Sequence, residues 1–202
     1  MSRKSWPEII RQKNYLGIAH NQHLRLVILG VGCEHCGDDA AGLLTTRLLK
    51  CHLRDNPSVL VLETGPTPEN FTSLIREFDP DLVLILDAAQ FGGKPGEIRC
   101  IQTTEIGGVS ASTHTLPLDI LARYLEVDIG CETVLLGIQP SSIEYGAKLS
   151  PRVAQSVTIL AIALTALLKP DFIQSFPLKK PRKTDSRPKQ MNATFLPNCV
   201  PG

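Results

Sequence analysis

The sequence predicts a single α/β domain, a mostly parallel, twisted sheet of about five strands sandwiched by helices, with a Pro/Lys-rich tail behind it. Three observations carry this prediction. Short apolar runs end in glycine or acidic residues, as strands buried on both faces do. Helical stretches separate these runs, so consecutive strands connect through right-handed crossovers. The chain has 202 residues, 43% of them hydrophobic, enough to bury one core.

The first run, residues 24–32 (LRLVILGVG), is the first expected strand. Gly37-Asp38-Asp39 follows, with Asp38 as the expected N-cap of a helix over residues 40–51, so that Asp39 enters the first turn where the helix dipole favours an anion. Residues 58–63 form a second strand. Pro68-Glu69-Asn70 starts a helix that Asp79-Pro80 breaks, with Glu69 supporting its N-terminus. Residues 82–86 (LVLIL) form a third buried strand, closed by Asp87. A turn-rich segment with Gly92, Gly93 and Gly96 leads into a strand over residues 97–102, where Glu97 is an exposed edge charge. Residues 115–126 read as a helix with Pro117 in its first turn. Residues 133–138 form another strand, and Ser150-Pro151 opens a last helix to residue 168.

The boundaries expected are an extension over residues 1–23, the domain over 24–169 and a basic Pro-rich tail over 170–202. The extension carries Arg3 and Lys4 but no apolar stretch of a secretory signal. The tail holds six prolines, and residues 179–189 hold six basic residues against one acidic. Repeated prolines prevent regular ladders, so the tail reads as a solvated extension or, with its basic residues, an arm for an acidic partner. The net charge of +1 and an aromatic content of 5% argue against nucleic-acid binding. The longest apolar run, residues 157–168, is shorter than a bilayer crossing requires, so no membrane insertion is expected. Six irregularly spaced cysteines in a chain this long suit a cytoplasmic protein with reduced thiols, and Cys51, Cys100 and Cys131 read as small buried hydrophobes. Oligomeric state is left open.

Ligands of parallel α/β sheets collect beyond the carboxyl ends of the strands. Asp39 and Asp87 both fall there. Asp87 ends an apolar run and is expected to be partly buried, and a buried carboxylate requires a partner. His114, in the polar segment Ser112-Thr113-His114-Thr115, supplies a third candidate, whereas His20, His23 and His52 lie in poorly patterned segments. Two aspartates and a histidine make a candidate three-ligand site for a divalent metal such as nickel, zinc or manganese. Gly30-Val31-Gly32 does not extend to a dinucleotide fingerprint, because position 35 is His35 and two carboxylates would repel a pyrophosphate. No G-x-S-x-G or H-E-x-x-H motif occurs.

Six ordered blocks occur together: G-V-G…G-D-D-A-A-G at 30–42, G-P-T-P-E-N at 65–70, L-I-L-D-A at 84–88, P-G-E-I-R at 95–99, S-T-H-T-L-P-L at 112–118 and L-L-G-I-Q-P at 135–140. This combination resembles the hydrogenase maturation endopeptidases, especially the branch serving hydrogenase-3-type nickel–iron enzymes. The resemblance spans about residues 24–168. It implies an endopeptidase that removes the C-terminal extension of a nickel-loaded nickel–iron hydrogenase large-subunit precursor. It implies Asp39, Asp87 and His114 as metal ligands, with Asp39 and Asp87 as the catalytic acids of an aspartic-type or metal-assisted hydrolysis. The nickel is presented by the substrate, and zinc or cadmium could occupy the site in vitro. Two other readings stand beside it: a non-catalytic nickel-sensing chaperone of the same fold, and a small-molecule metallohydrolase. One departure stands out. Where the family commonly reads Gly-Asn, Gly32 is followed by Cys33-Glu34-His35-Cys36. A C-x-x-C with an internal histidine suits substituted loop residues, an accessory soft-metal site or a redox pair.

Overall fold

The computed structural model describes residues 25–102 and 116–168. The expected extension, the tail and His114 lie outside the described residues. The described residues form β1 (Leu26–Val31), α1 (Ala41–Leu53), β2 (Val59–Gly65), α2 (Thr72–Phe78), β3 (Leu82–Ala88), β4 (Ile98–Gln102), α3 (Leu118–Tyr124), β5 (Glu132–Ile138) and α4 (Pro151–Leu168). One five-stranded sheet runs in the order β2-β1-β3-β5-β4. All pairings are parallel except β4 with β5. The expected α/β class and mostly parallel sheet are those observed.

The central position of β3 follows from its composition. All seven of its residues are buried, and a strand with five consecutive apolar residues before its one aspartate fits between two covered faces. One face of the sheet packs Leu26, Ile28, Leu84 and Leu136 against Leu49 of α1 and Val157, Leu160 and Leu164 of α4. The other packs Val27, Leu29, Val83 and Ile85 against Ile75 and Phe78 of α2 and Leu121 of α3. Each fully buried aliphatic side chain contributes about 1.5–3 kcal/mol, so these two layers dominate the stability. At the opposite end from the site, Asp81 Oδ2 accepts the Arg25 amide at 2.8 Å while its own amide donates to Arg25 O at 2.8 Å, fixing the register of β1 on β3.

Three expectations need correction. Helix α4 spans 18 residues, longer than its apolar run, and is long and apolar enough to cross a membrane by length and composition. Here its apolar face is core, with Val153, Leu160 and Leu164 no more than 3% exposed. Cys51 is exposed, on the outer side of α1, whereas Cys131 is buried and Cys100 lies between. Pro117 is the N-cap of α3 rather than part of its first turn. Its missing N–H costs nothing at a helix start.

Candidate functional site

The site begins where β1 ends. Gly32 takes a φ of 128°, and a Cβ there would overlap the Asp39 carbonyl oxygen. Only glycine lets the chain fold back so closely. Cys33 to Cys36 then close a turn, with the Cys36 amide donating to Cys33 O at 3.2 Å. A 3-10 turn, Gly37–Ala40, leads into α1. Both Asp38 and Asp39 are fully buried, at 0% exposure.

Asp38 is not the expected N-cap. Cys36 stands at the cap of the 3-10 turn and Ala40 at that of α1, neither with a side-chain cap. The extra turn draws Asp38 inside the structure, where its carboxylate meets the loop after β5. Oδ2 accepts the amides of Ser141 at 2.7 Å and Ser142 at 3.3 Å, and Oδ1 accepts that of Ser150 at 2.6 Å. The Asp38 amide donates to Ser142 O at 2.9 Å. A carboxylate with several amide donors is a strong buried anchor.

Asp39 is held by the turn that precedes it. Its Oδ2 accepts the Cys33 amide at 2.6 Å, and its own amide donates to Cys36 O at 3.1 Å. Asp87 lies one residue before the end of β3, 2% exposed and opposite Gly137 of β5. The 3-10 turn carrying Asp39 packs on β3. Glycine again sets the approach: a Cβ on Gly42 would overlap Leu86 O, and one on Gly30 would overlap the Thr46 side chain. Helix α1 therefore rests directly on the carboxyl ends of β1 and β3, and Asp39 and Asp87 share that end of the sheet. Both side chains are buried carboxylates, a donor type that divalent cations accept.

Beyond Asp87, Gln139 organises the next loop. Its Oε1 accepts the amides of Phe91 and Gly93, both at 3.0 Å. Its Nε2 donates to Gln90 Oε1 at 2.6 Å and to Pro140 O at 3.3 Å. Glu97 is an edge charge as expected, bridged to Arg99 at 3.1 Å. Neither Asp38 nor Gln139 was singled out as a site residue from sequence. The signal present was their place in the G-D-D and I-Q-P blocks; their partners are amides, which carry no residue signature.

No group of three or more His, Cys, Asp or Glu donors, Cys33, His35 and Cys36 included, comes together among the described residues. The His35 ring stands edge-on to Tyr145, centroids 6.4 Å apart, and its carbonyl accepts the Gly146 amide at 2.7 Å. The neighbouring Cys33 thiol, followed by burial, pushes the Cys36 thiol up to about 11.

Comparisons with known proteins agree with this architecture. The family described as hydrogenase maturation protease (HycI) matches residues 44–166. The chain is similar to the hydrogenase 3 maturation protease of Escherichia coli, 40% identical over 120 residues, spanning 59% of this chain and 75% of that one. Among solved structures it is similar to the [NiFe] hydrogenase maturation protease HycI from Thermococcus kodakarensis, with a TM-score of 0.68 and 36% identity over 76% of this chain and 98% of that chain. It is also similar to HybD from Thermococcus kodakarensis, with a TM-score of 0.57 and 27% identity over 72% of this chain and all of that one.

Proposed function

The chain belongs to the hydrogenase maturation protease family, and from that premise we propose that it removes the C-terminal extension of a nickel-loaded nickel–iron hydrogenase large-subunit precursor. The observation that carries this reading is the pair of buried carboxylates, Asp39 at 0% and Asp87 at 2% exposure, at one end of the sheet. Their chemistry fits a borderline divalent cation with open coordination positions, and His114 is the imidazole partner we assign to them. The nickel belongs to the substrate. An unloaded precursor lacks the ion that bridges it to the carboxylates, so cleavage is coupled to metal insertion.

In this reading the chain's own residues do the following. Asp39, oriented by the Cys33 amide, and Asp87, fixed in the sheet, hold the precursor through its metal. One carboxylate of the pair takes a proton from the attacking water as its oxygen bonds to the scissile carbonyl carbon. That proton passes to the leaving nitrogen as the C–N bond breaks, giving a new C-terminal carboxylate and a released peptide amine. The bound nickel supplies Lewis acidity at the same place. We place the reaction in the cytoplasm, in keeping with the cysteine usage. The test is incubation with nickel-loaded and nickel-free precursor, read by intact mass. Shortening of the loaded form alone supports the proposal. Unchanged mass of both favours a non-catalytic partner.

A further inference from the structure

The C-x-x-C turn is not used by the proposed hydrolysis, yet it wraps Asp39 at both ends. Cys33 gives its amide to the Asp39 carboxylate at 2.6 Å, and Cys36 gives its carbonyl to the Asp39 amide at 3.1 Å. The turn is closed by its own hydrogen bond of 3.2 Å. Such a turn brings its end Cα atoms to within about 7 Å, and a disulfide spans about 4.4–6.8 Å between Cα atoms. The Cys33 thiol is close enough to be the first cause that raises the Cys36 thiol. Cys33 is the accessible member and Cys36 the buried one.

We propose that Cys33 and Cys36 are a reversible dithiol–disulfide pair, a modification site for a small disulfide oxidant, whose state acts on Asp39 through the Cys33 amide. This rests on the reading of Asp39 as a site residue. The half-buried Cys33, as its thiolate, attacks one sulfur of oxidised glutathione, forming a mixed disulfide and releasing one glutathione thiolate. Cys36 loses its proton and attacks the Cys33 sulfur, releasing the second glutathione. Two electrons and two protons pass from the pair to the oxidant. Drawing the two sulfurs to a bond of about 2.05 Å shifts Cys33, whose amide holds the Asp39 carboxylate at 2.6 Å. Oxidation therefore loosens Asp39. In a reducing compartment such a pair serves sensing rather than stapling.

The experiment equilibrates the full chain in reduced or oxidised glutathione, alkylates the remaining thiols and digests with trypsin. The fragment 26–47 contains Cys33 and Cys36 and no other cysteine. The expected fragment from the oxidised buffer is unalkylated and two hydrogens lighter than the dithiol, while Cys36→Ser stops at one glutathione on Cys33. Double alkylation in both buffers, or a wild-type glutathione adduct that does not resolve, overturns the pair. Amide hydrogen exchange at Cys33, measured by NMR, reads the coupling: exchange roughly tenfold faster in the oxidised form is expected, the scale of one lost hydrogen bond to a charged group. Equal exchange with the disulfide formed overturns the link to Asp39. Neither readout uses the precursor, so both stand apart from failure of the proposed cleavage.

Discussion

Oδ1 of Asp38 accepts the amide of Ser150 at 2.6 Å, joining positions 112 residues apart. With the Ser141 and Ser142 amides on its other oxygen, Asp38 fastens the whole loop between β5 and α4 to the turn that carries Asp39. The neighbouring aspartates thus have different partners: Asp38 holds the loop after β5, and Asp39 holds the Cys33 amide.

Asp38→Ala leaves three amides without their acceptor. At about 1–3 kcal/mol for each buried group left unsatisfied, partly relieved by water, the unfolding free energy in urea should fall by about 3 kcal/mol or more. Asp38→Asn keeps one acceptor oxygen and should lose less. A loss below about 1 kcal/mol for the alanine variant would show that the loop does not depend on this anchor.

Gly42 is the second residue of α1, and alanine is ordinarily favoured over glycine in a helix, by up to about 1 kcal/mol in its interior. Here the sign should reverse, because the added carbon would meet Leu86 O and Val31 O. Overpacking of this kind costs about 1–3 kcal/mol, so Gly42→Ala should lower Tm. A raised Tm would mean that α1 is not seated on the strand ends as described.

The sheet, its helices and the places of Asp39 and Asp87 along the chain were legible because each is a local pattern: an apolar run followed by glycine or by a charge. Asp38 was misread as a cap for the same reason. A cap is the local use of such an aspartate, whereas its true partners lie more than a hundred positions away. The antiparallel β4 at the edge was legible as a strand but not in its direction, which depends on pairing with β5 beyond α3. Cys51 went wrong because burial on a helix is a matter of phase, and its residue type does not state which side it takes. His114 lies outside the described residues, and its role stays with the proposal.

The body should stand without the residues after 169. Asn56 Nδ2 donates to Leu168 O at 3.0 Å, capping α4, and Leu167 and Leu168 sit in the core at 7% and 3% exposure. A chain ending at residue 169 should melt cooperatively with Tm within about 4 °C of the full chain, a difference worth roughly 1–2 kcal/mol. Aggregation or loss of cooperativity would assign the remaining segment to the fold.

Removing either carboxylate should abolish processing without unfolding the protein. Asp39→Asn and Asp87→Asn should each slow cleavage of nickel-loaded precursor by at least about a hundredfold, the scale of losing an acid–base group, and His114→Ala should follow them. Circular dichroism should show native folding in each variant. Processing at the parent rate by any of the three would remove that residue from the site.

The most direct measurement of the central claim is the intact mass of a hydrogenase large-subunit precursor after incubation with this protein, with and without nickel in the precursor. The expected result is loss of the C-terminal peptide from the nickel-loaded form alone. Cleavage of both forms at equal rates, or of neither, would contradict a site in which Asp39 and Asp87 recognise the substrate through its metal.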